Sequence, residues 1–122
     1  MKVLEPKVSK VILDFGKTLK ETQEVNVNLN ANITYSKANE DDYLVTEILE
    51  MFLNNENKIF SIEVVCPVTF EENDEKDKNK RQEIIKKDVF SSLYKKLKEV
   101  SDYLLSNATV ALPRLPEGFY QN

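Results

Sequence analysis

The chain has 122 residues, of which 41% are hydrophobic and 31% charged, and its formal net charge is −4. This length predicts a single domain over residues 1–122, because a second domain would be too small to bury its own core. The lysines are interleaved with acids, so the sequence lacks the basic stripe on which nucleic-acid binders depend. We therefore expect no nucleic-acid partner.

Several classes of site are excluded by residues that the sequence lacks. With no histidine, it cannot form a Ser-His-Asp triad or a histidine metal site. Gly16 and Gly118 are its two glycines, which rules out a glycine-rich phosphate-binding loop. Cys66 is the one cysteine, so an internal disulfide and a thiolate zinc site are excluded, in agreement with a reducing compartment. We expect no catalytic residue, no metal and no cofactor.

The N-terminal residues lack the apolar core of a signal peptide. No apolar run approaches the roughly 20 residues that are needed to span a bilayer. These two features predict a cytoplasmic protein that does not enter a membrane.

The first half of the chain is rich in strand signals. Residues 7–15 form a short β-rich run that ends at Gly16. From Val25 to Tyr35 apolar residues alternate with asparagine or threonine, and this period of two matches a strand. Because asparagine is a poor strand residue, the alternation indicates one buried and one solvated face. The apolar set is Val25, Val27, Leu29, Ala31, Ile33 and Tyr35.

Residues 43–53 are ambiguous, since their apolar positions suit a helical face as well as a strand covered on both sides. A strand is favoured because the segment lies between two better strands. Residues 54–57 are typical of a hairpin turn. Residues 59–70 are β-branched and aromatic, which predicts a strand, and Pro67 marks a bulge or an edge in it.

The second half changes period. Residues 71–81 are a mixed charge run that we interpret as a solvated connection. Residues 82–105 then repeat apolar side chains every three or four positions, which predicts one long amphipathic helix with Asn107 as a C-cap. Its apolar line is Ile85, Val89, Leu93, Leu97, Val100 and Leu104. The remaining tail contains Pro113 and Pro116 and is expected to be extended.

Strands followed by a helix predict an α+β fold, with a four-stranded antiparallel sheet and one long helix packed on one face. One helix covers only part of such a sheet. The rest of the apolar face is expected to be covered by another copy of the chain or to bind a ligand.

The order and residues of these elements resemble the SecB family of protein-export chaperones. The resemblance rests on EVNVNLN (24–30), an Asp-Asp-Tyr entry into the next strand (41–43), FSIEVVCPVTF (60–70) and VSDYLLSNATVALPRLPEGF (100–119). It spans residues 8–119. It implies an ATP-independent holdase that binds unfolded or pre-export polypeptides in apolar grooves, and a homotetramer built as a dimer of dimers.

The resemblance also implies site residues. The client groove would be lined by Val25, Val27 and Leu29, with Phe119 as part of its wall. If these residues have no role in binding, the first three are expected to be ordinary core residues and Phe119 part of a frayed C-terminus.

An outward face of the fourth predicted strand would join dimers into the tetramer through Ile62, Val64 and Cys66. Three apolar residues on an outward face would form an exposed apolar patch in a monomer. This favours the interpretation that copies of the chain assemble through this face. Glu63 matches a carboxylate on the family's partner-docking surface, although a lone exposed acid is more often simply solvated.

The sequence departs from the export chaperones at its end. It stops at Asn122, before the family's second helix and acidic tail, so we expect a short form. Two partners therefore stay open, a translocation ATPase and a dedicated client such as an antitoxin. An oligomeric scaffold for one folded partner is a second hypothesis, and an enzyme that uses carboxylates such as Glu47 and Glu50 is a third.

Overall fold

The computed structural model describes residues 1–14, 25–36, 38–54 and 57–106. Within these ranges the chain forms five β-strands and two α-helices. The strands are β1 (Lys2–Val3), β2 (Lys7–Leu13), β3 (Val25–Tyr35), β4 (Asp42–Leu53) and β5 (Asn57–Thr69), and the helices are α1 (Lys78–Asp88) and α2 (Phe90–Ser106).

The strands form one antiparallel sheet in which β5 and β4 are central and β3 lies at one edge. The other edge is shared by β1 and β2, which both pair with β5. The predicted α+β architecture is confirmed, and the sheet is four strands wide with its first strand in two parts. The two residues of β1 are too few to show any period, so the sequence did not predict this strand.

Pro67 explains why the first strand is divided. The backbone nitrogen of Leu4 donates to the Pro67 carbonyl at 3.0 Å, so the backbone polar groups of Pro67 point toward this edge. Proline has no N–H to offer there, and the chain leaves the ladder between Leu4 and Pro6. On its other side, Pro67 pairs with Leu44 in regular register. The irregularity expected at Pro67 therefore falls in the edge strand, and the pairing of β5 with β4 is regular at this residue.

Residues 43–53 form a strand, as favoured, since β4 spans Asp42–Leu53 and pairs on both sides. The turn that follows begins at Asn54, which has φ 53° and so adopts the left-handed region that asparagine tolerates. Residues 55–56 lie outside the described residues. Between Met51 and Phe52 the register with β5 shifts by one residue, which lets Ile59 and Phe60 both be buried.

The predicted single helix is two helices, with Val89 between them. The helix also begins earlier than expected, inside the charge run, because the Asp77 side chain accepts a hydrogen bond from the Lys80 backbone nitrogen at 3.1 Å and caps α1. Hydrogen bonding continues through the junction, from the Val89 nitrogen to the Ile85 carbonyl and from the Leu93 nitrogen to the Val89 carbonyl. The helical segment is therefore long and bent.

The buried line of the helices drifts from the predicted one. Up to Leu97 it follows the expectation, and it then continues through Ser101 and Leu105. Val100 and Leu104 are only partly buried. The buried residues thus recur every four positions. Because the helix has 3.6 residues per turn, each successive buried residue lies slightly further around the helix axis. The predicted cap Asn107 and the tail lie outside the described residues.

The helices and the sheet enclose one core. Helix α2 packs on β4 and β5, and the side chains that it covers define the helix face of the sheet. On β4 this face carries Tyr43, Val45, Glu47, Leu49, Met51 and Leu53, all buried. The opposite side, the far face, carries the alternate residues of β4, which are exposed or half-buried.

Candidate functional site

The alternating strand β3 lies beside the helix-covered core. Each of its apolar residues pairs with a helix-face residue of β4, as in Leu29 with Leu49 and Ile33 with Val45. We call these six residues the β3 strip: Val25, Val27, Leu29, Ala31, Ile33 and Tyr35. The predicted faces are confirmed, because the strip shares the face of the core and the asparagines occupy the far face.

The β3 strip is only partly covered, because α2 packs on β4 and β5. Val25, Leu29 and Ile33 pack against the core and remain half-buried. Val27 is 40% exposed and Tyr35 57% exposed. An apolar row of this kind, next to a core and open to solvent on one side, is typical of a surface that binds another apolar chain.

Tyr35 gives the strip an aromatic end. Its ring makes an edge-to-face contact with Tyr43 at 6.4 Å between centroids, and Tyr43 makes another with Phe70 at 5.5 Å. The Nζ atom of Lys78 lies 5.4 Å from the centre of the Tyr35 ring. The sequence interpretation did not assign Tyr35 to the site, although the alternation placed it on the right face. Its position as the last, aromatic member of the alternation was the available signal.

A carboxylate is buried beside the strip. Glu47 is 0% exposed, and neither of its carboxylate oxygens has a hydrogen-bond partner among the described residues. Its strand partners are Ala31 on β3 and Val64 on β5, so no charged side chain neighbours it across the sheet. This burial removes water from the carboxylate and raises the pKa of Glu47 to about 8.

Glu47 and Glu50, the carboxylates of the enzyme hypothesis, do not form a pair. They lie on opposite faces of β4, because they are three residues apart in a strand of period two. Glu50 is on the far face, where it makes an ion pair with Lys58 at 2.5 Å. The two carboxylates therefore cannot act on one substrate group as acid and base.

The predicted client-groove residues are brought together in part. Val25, Val27 and Leu29 stand on the same face of β3, within the β3 strip. Phe119 lies outside the described residues, and its place in the groove stays a prediction.

The expectation that Ile62, Val64 and Cys66 face outward is wrong. All three are fully buried on the helix face, where they belong to the core of the single chain. In the run 59–70 apolar residues occupy both the even and the odd positions, which point to opposite faces of the strand. The sequence alone therefore does not reveal which of the two faces the helix covers. The predicted docking residue Glu63 alternates with this buried set and therefore lies on the far face of β5. There its carboxylate accepts a hydrogen bond from the Ser9 hydroxyl at 3.0 Å.

A second apolar row lies at the opposite edge of the sheet, on β2. Val8, Val11 and Leu13 pair with Val64, Ile62 and Phe60, so they share the helix face. Each is more than one-third exposed, because α2 packs on the central strands. We call these three residues the β2 row. The helix thus leaves apolar surface uncovered on both of its sides.

Neither a metal site nor a membrane-spanning helix is found in the described part of the chain. Within it, no group of three or more metal-ligating side chains could hold an ion. None of its helices is long and apolar enough to cross a bilayer.

Comparison with known proteins places the fold. No protein-family model matches the sequence, and no curated protein matches it in sequence. The structure is similar to that of the Mycobacterium tuberculosis Rv1957 SecB-like chaperone, solved in complex with a ChAD peptide from the Rv1956 HigA1 antitoxin. The TM-score is 0.59 and the sequence identity 9%, and the match covers 93% of this chain and 90% of that one. The chain therefore has a SecB-like fold, as the resemblance in sequence implied.

Proposed function

We propose that this protein is a chaperone that holds unfolded or extended polypeptide segments and needs no nucleotide to do so. The observation that carries the proposal is the β3 strip, an apolar strand face that α2 leaves half-exposed. Burial of a client's apolar side chains against this strip would gain roughly 25 cal/mol for each Å² removed from water. Several such weak contacts along a client add up to useful affinity.

The similar solved structure supports the same proposal. In it, a SecB-like chaperone is in complex with a peptide from an antitoxin. A protein with the same fold thus holds a peptide. The complex also favours a second candidate, in which this chain is a dedicated chaperone for one partner such as an antitoxin.

We further propose that the chain assembles into a tetramer, a dimer of dimers. The β2 row supports assembly, because three exposed apolar side chains in one line are a surface that a second copy would cover. The oligomer contact would then involve the exposed residues of β2 and not the buried set on β5.

Export docking is a separate part of the proposal. Glu63 is half-buried on the far face, next to Ser9, and a motor such as a translocation ATPase would approach it from that side. Replacing Glu63 with Gln should weaken that docking and leave client binding unchanged.

Suppression of aggregation tests the central proposal. A chemically denatured protein is diluted into buffer with or without the chain, in the absence of nucleotide, and light scattering is followed. We expect the wild type to suppress scattering and Val27→Asp to lose most of this effect, because a charge in the strip would have to be desolvated by the client. Asn28→Asp adds the same charge on the far face and should behave as the wild type.

Absence of suppression by the folded wild type would refute the chaperone proposal. Competition separates its two forms. If many denatured proteins displace one another, the chaperone is general; if a single partner is retained against an excess of denatured protein, it is dedicated.

A further inference from the structure

The outer edge of β3 is a second feature of the same surface. Among the described residues, β3 pairs with β4 and with no other strand. An edge strand has one row of backbone N–H and C=O groups that its own sheet leaves unpaired.

The hairpin register shows which residues carry this row. Next to the end of β3, the Ser36 nitrogen donates to the Asp42 carbonyl at 2.9 Å, so this pair is hydrogen-bonded. Hydrogen-bonded and non-bonded pairs alternate along an antiparallel ladder, and the β3–β4 register has no irregularity. The asparagines of β3 therefore bond to β4. The backbone groups of the β3 strip point outward.

The β3 edge also lacks the sequence features that keep an edge strand from pairing with another chain. Val25–Tyr35 contains no charged residue and no proline, and its pairing with β4 has no bulge. The opposite edge has all three protections, with Lys7 and Lys10 on β2, Pro6 before it, and a register shift between Val8 and Lys10. Charges, prolines and bulges are the devices that keep edge strands from pairing with other chains. Their confinement to one edge indicates that the β3 edge accepts a strand.

We propose that a client segment binds as an additional strand on the outer edge of β3, which no other described strand pairs with, and hydrogen-bonds to the backbone of the β3 strip. This inference rests on the proposed chaperone function and gives its mode of recognition. Every second side chain of the client then lies beside the half-exposed side chains of the strip, such as Val27 and Leu29. Backbone bonds are the same for every sequence, so the site selects extended segments with alternating apolar residues.

An extended peptide fits this edge better than a second copy of the chain does. A stable protein–protein interface uses about 20–30 residues on each side. The edge strand has 11 residues, and one extended segment of similar length would pair along all of it through the outward backbone groups of the strip. The peptide in the similar SecB-like complex agrees with this occupant.

Amide hydrogen exchange on the wild type tests the proposal. The probe is a synthetic peptide of alternating valine and threonine with lysines at both ends. We expect the amides of Val27, Leu29 and Ala31 to exchange at least about tenfold more slowly when the peptide is bound, because they gain acceptors. The amides of Asn28 and Asn30 already bond to β4 and should change much less.

Several outcomes would overturn the proposal. Peptide that fails to bind, or binds without protecting the three outward amides, excludes strand addition at this edge. If the chain still suppresses aggregation, the chaperone function survives and only this mode of binding is lost. Protection of the same amides in the free protein, increasing with its concentration, would show that a second copy occupies the edge instead.

A pair of variants at Ala31 isolates the backbone contribution. Ala31→Pro removes one outward N–H and changes the side chain little, whereas Ala31→Val enlarges the side chain and keeps the N–H. We expect the proline variant to bind the peptide about tenfold more weakly and the valine variant to bind nearly as the wild type. Equal binding by both folded variants contradicts the proposal. If the proline variant does not fold, the exchange experiment on the wild type decides.

Discussion

Ala31 and Glu47 are partners in the register of β3 and β4, so the smallest side chain of the β3 strip stands beside a fully buried carboxylate. The pair is of the non-hydrogen-bonded kind, in which the side chains approach most closely. No hydrogen bond from the described residues reaches the carboxylate. An acid in such a place is stable only when it is protonated.

Glu47 should make the stability of the protein fall as the pH rises. Its pKa is about 8 in the folded chain and lies near the ordinary 4.5 in the unfolded one, so the folded state binds more protons between these values. The contribution of Glu47 to the free energy of unfolding should be largest below about pH 4.5 and decrease up to about pH 8, by on the order of 4 kcal/mol in total. Glu47→Gln should abolish this decrease. Urea unfolding at several pH values measures it.

The control for this experiment is Glu50→Gln, which removes a carboxylate from the far face of the same strand. If the control variant removes the pH dependence and Glu47→Gln retains it, the assignment to Glu47 is wrong.

Arg81 should be a major contributor to stability although it lies in a charge run. Its side chain is buried, pairs with Asp41 at 3.0 Å, donates to the Glu75 carbonyl, and stacks 4.7 Å from the centre of the Phe70 ring. Arg81→Ala should lower the free energy of unfolding by about 2–4 kcal/mol, since hydrogen bonds and packing are lost together. The exposed Lys78→Ala should change it by less than about 1 kcal/mol. Equal effects of the two variants in urea unfolding would contradict this role.

The features that the sequence predicted well are those with a strong period. The alternation in β3 indicated both the strand and its two faces, because no other regular element puts every second residue on one side. The apolar line through Ile85, Leu93 and Leu97 predicted the helical segment for the same reason. It did not reveal the junction at Val89, since a buried apolar residue there fits a continuous helix equally well.

The features that were missed depend on tertiary contacts. In residues 59–70 apolar side chains lie on both faces of the strand. The burial of Ile62, Val64 and Cys66 therefore follows from the position of α2 and not from the sequence pattern of the strand. Arg81 is one of many charges in its segment, and only the fold brings Asp41 and Phe70 to it. The sequence could show that Glu47 is the one charged residue among the alternating, otherwise apolar residues of β4 that face the helix. That its carboxylate has no hydrogen-bond partner among the described residues is visible only in the structure.

Cys66 should be unreactive in the folded protein. It is fully buried, its Sγ donates to the Leu4 carbonyl at 3.0 Å, and burial raises the pKa of its thiol. The thiolate is the reactive form, so a disulfide reagent should modify Cys66 at least about tenfold more slowly in buffer than in denaturing urea. Equal rates in the two conditions would show that the first strand opens easily from β5.

The β2 row should control assembly. Val11 is 42% exposed at the centre of the row, and a neighbouring copy that covered it would remove apolar surface from water. Val11→Asp would place a charge in that contact. We expect it to convert the proposed tetramer to a smaller species, which a mass determination by light scattering would detect. Lys10→Gln alters the adjacent residue on the far face and should leave the mass unchanged. A wild type that is monomeric at all concentrations would contradict the proposed assembly, and a Val11→Asp tetramer would locate the contact elsewhere.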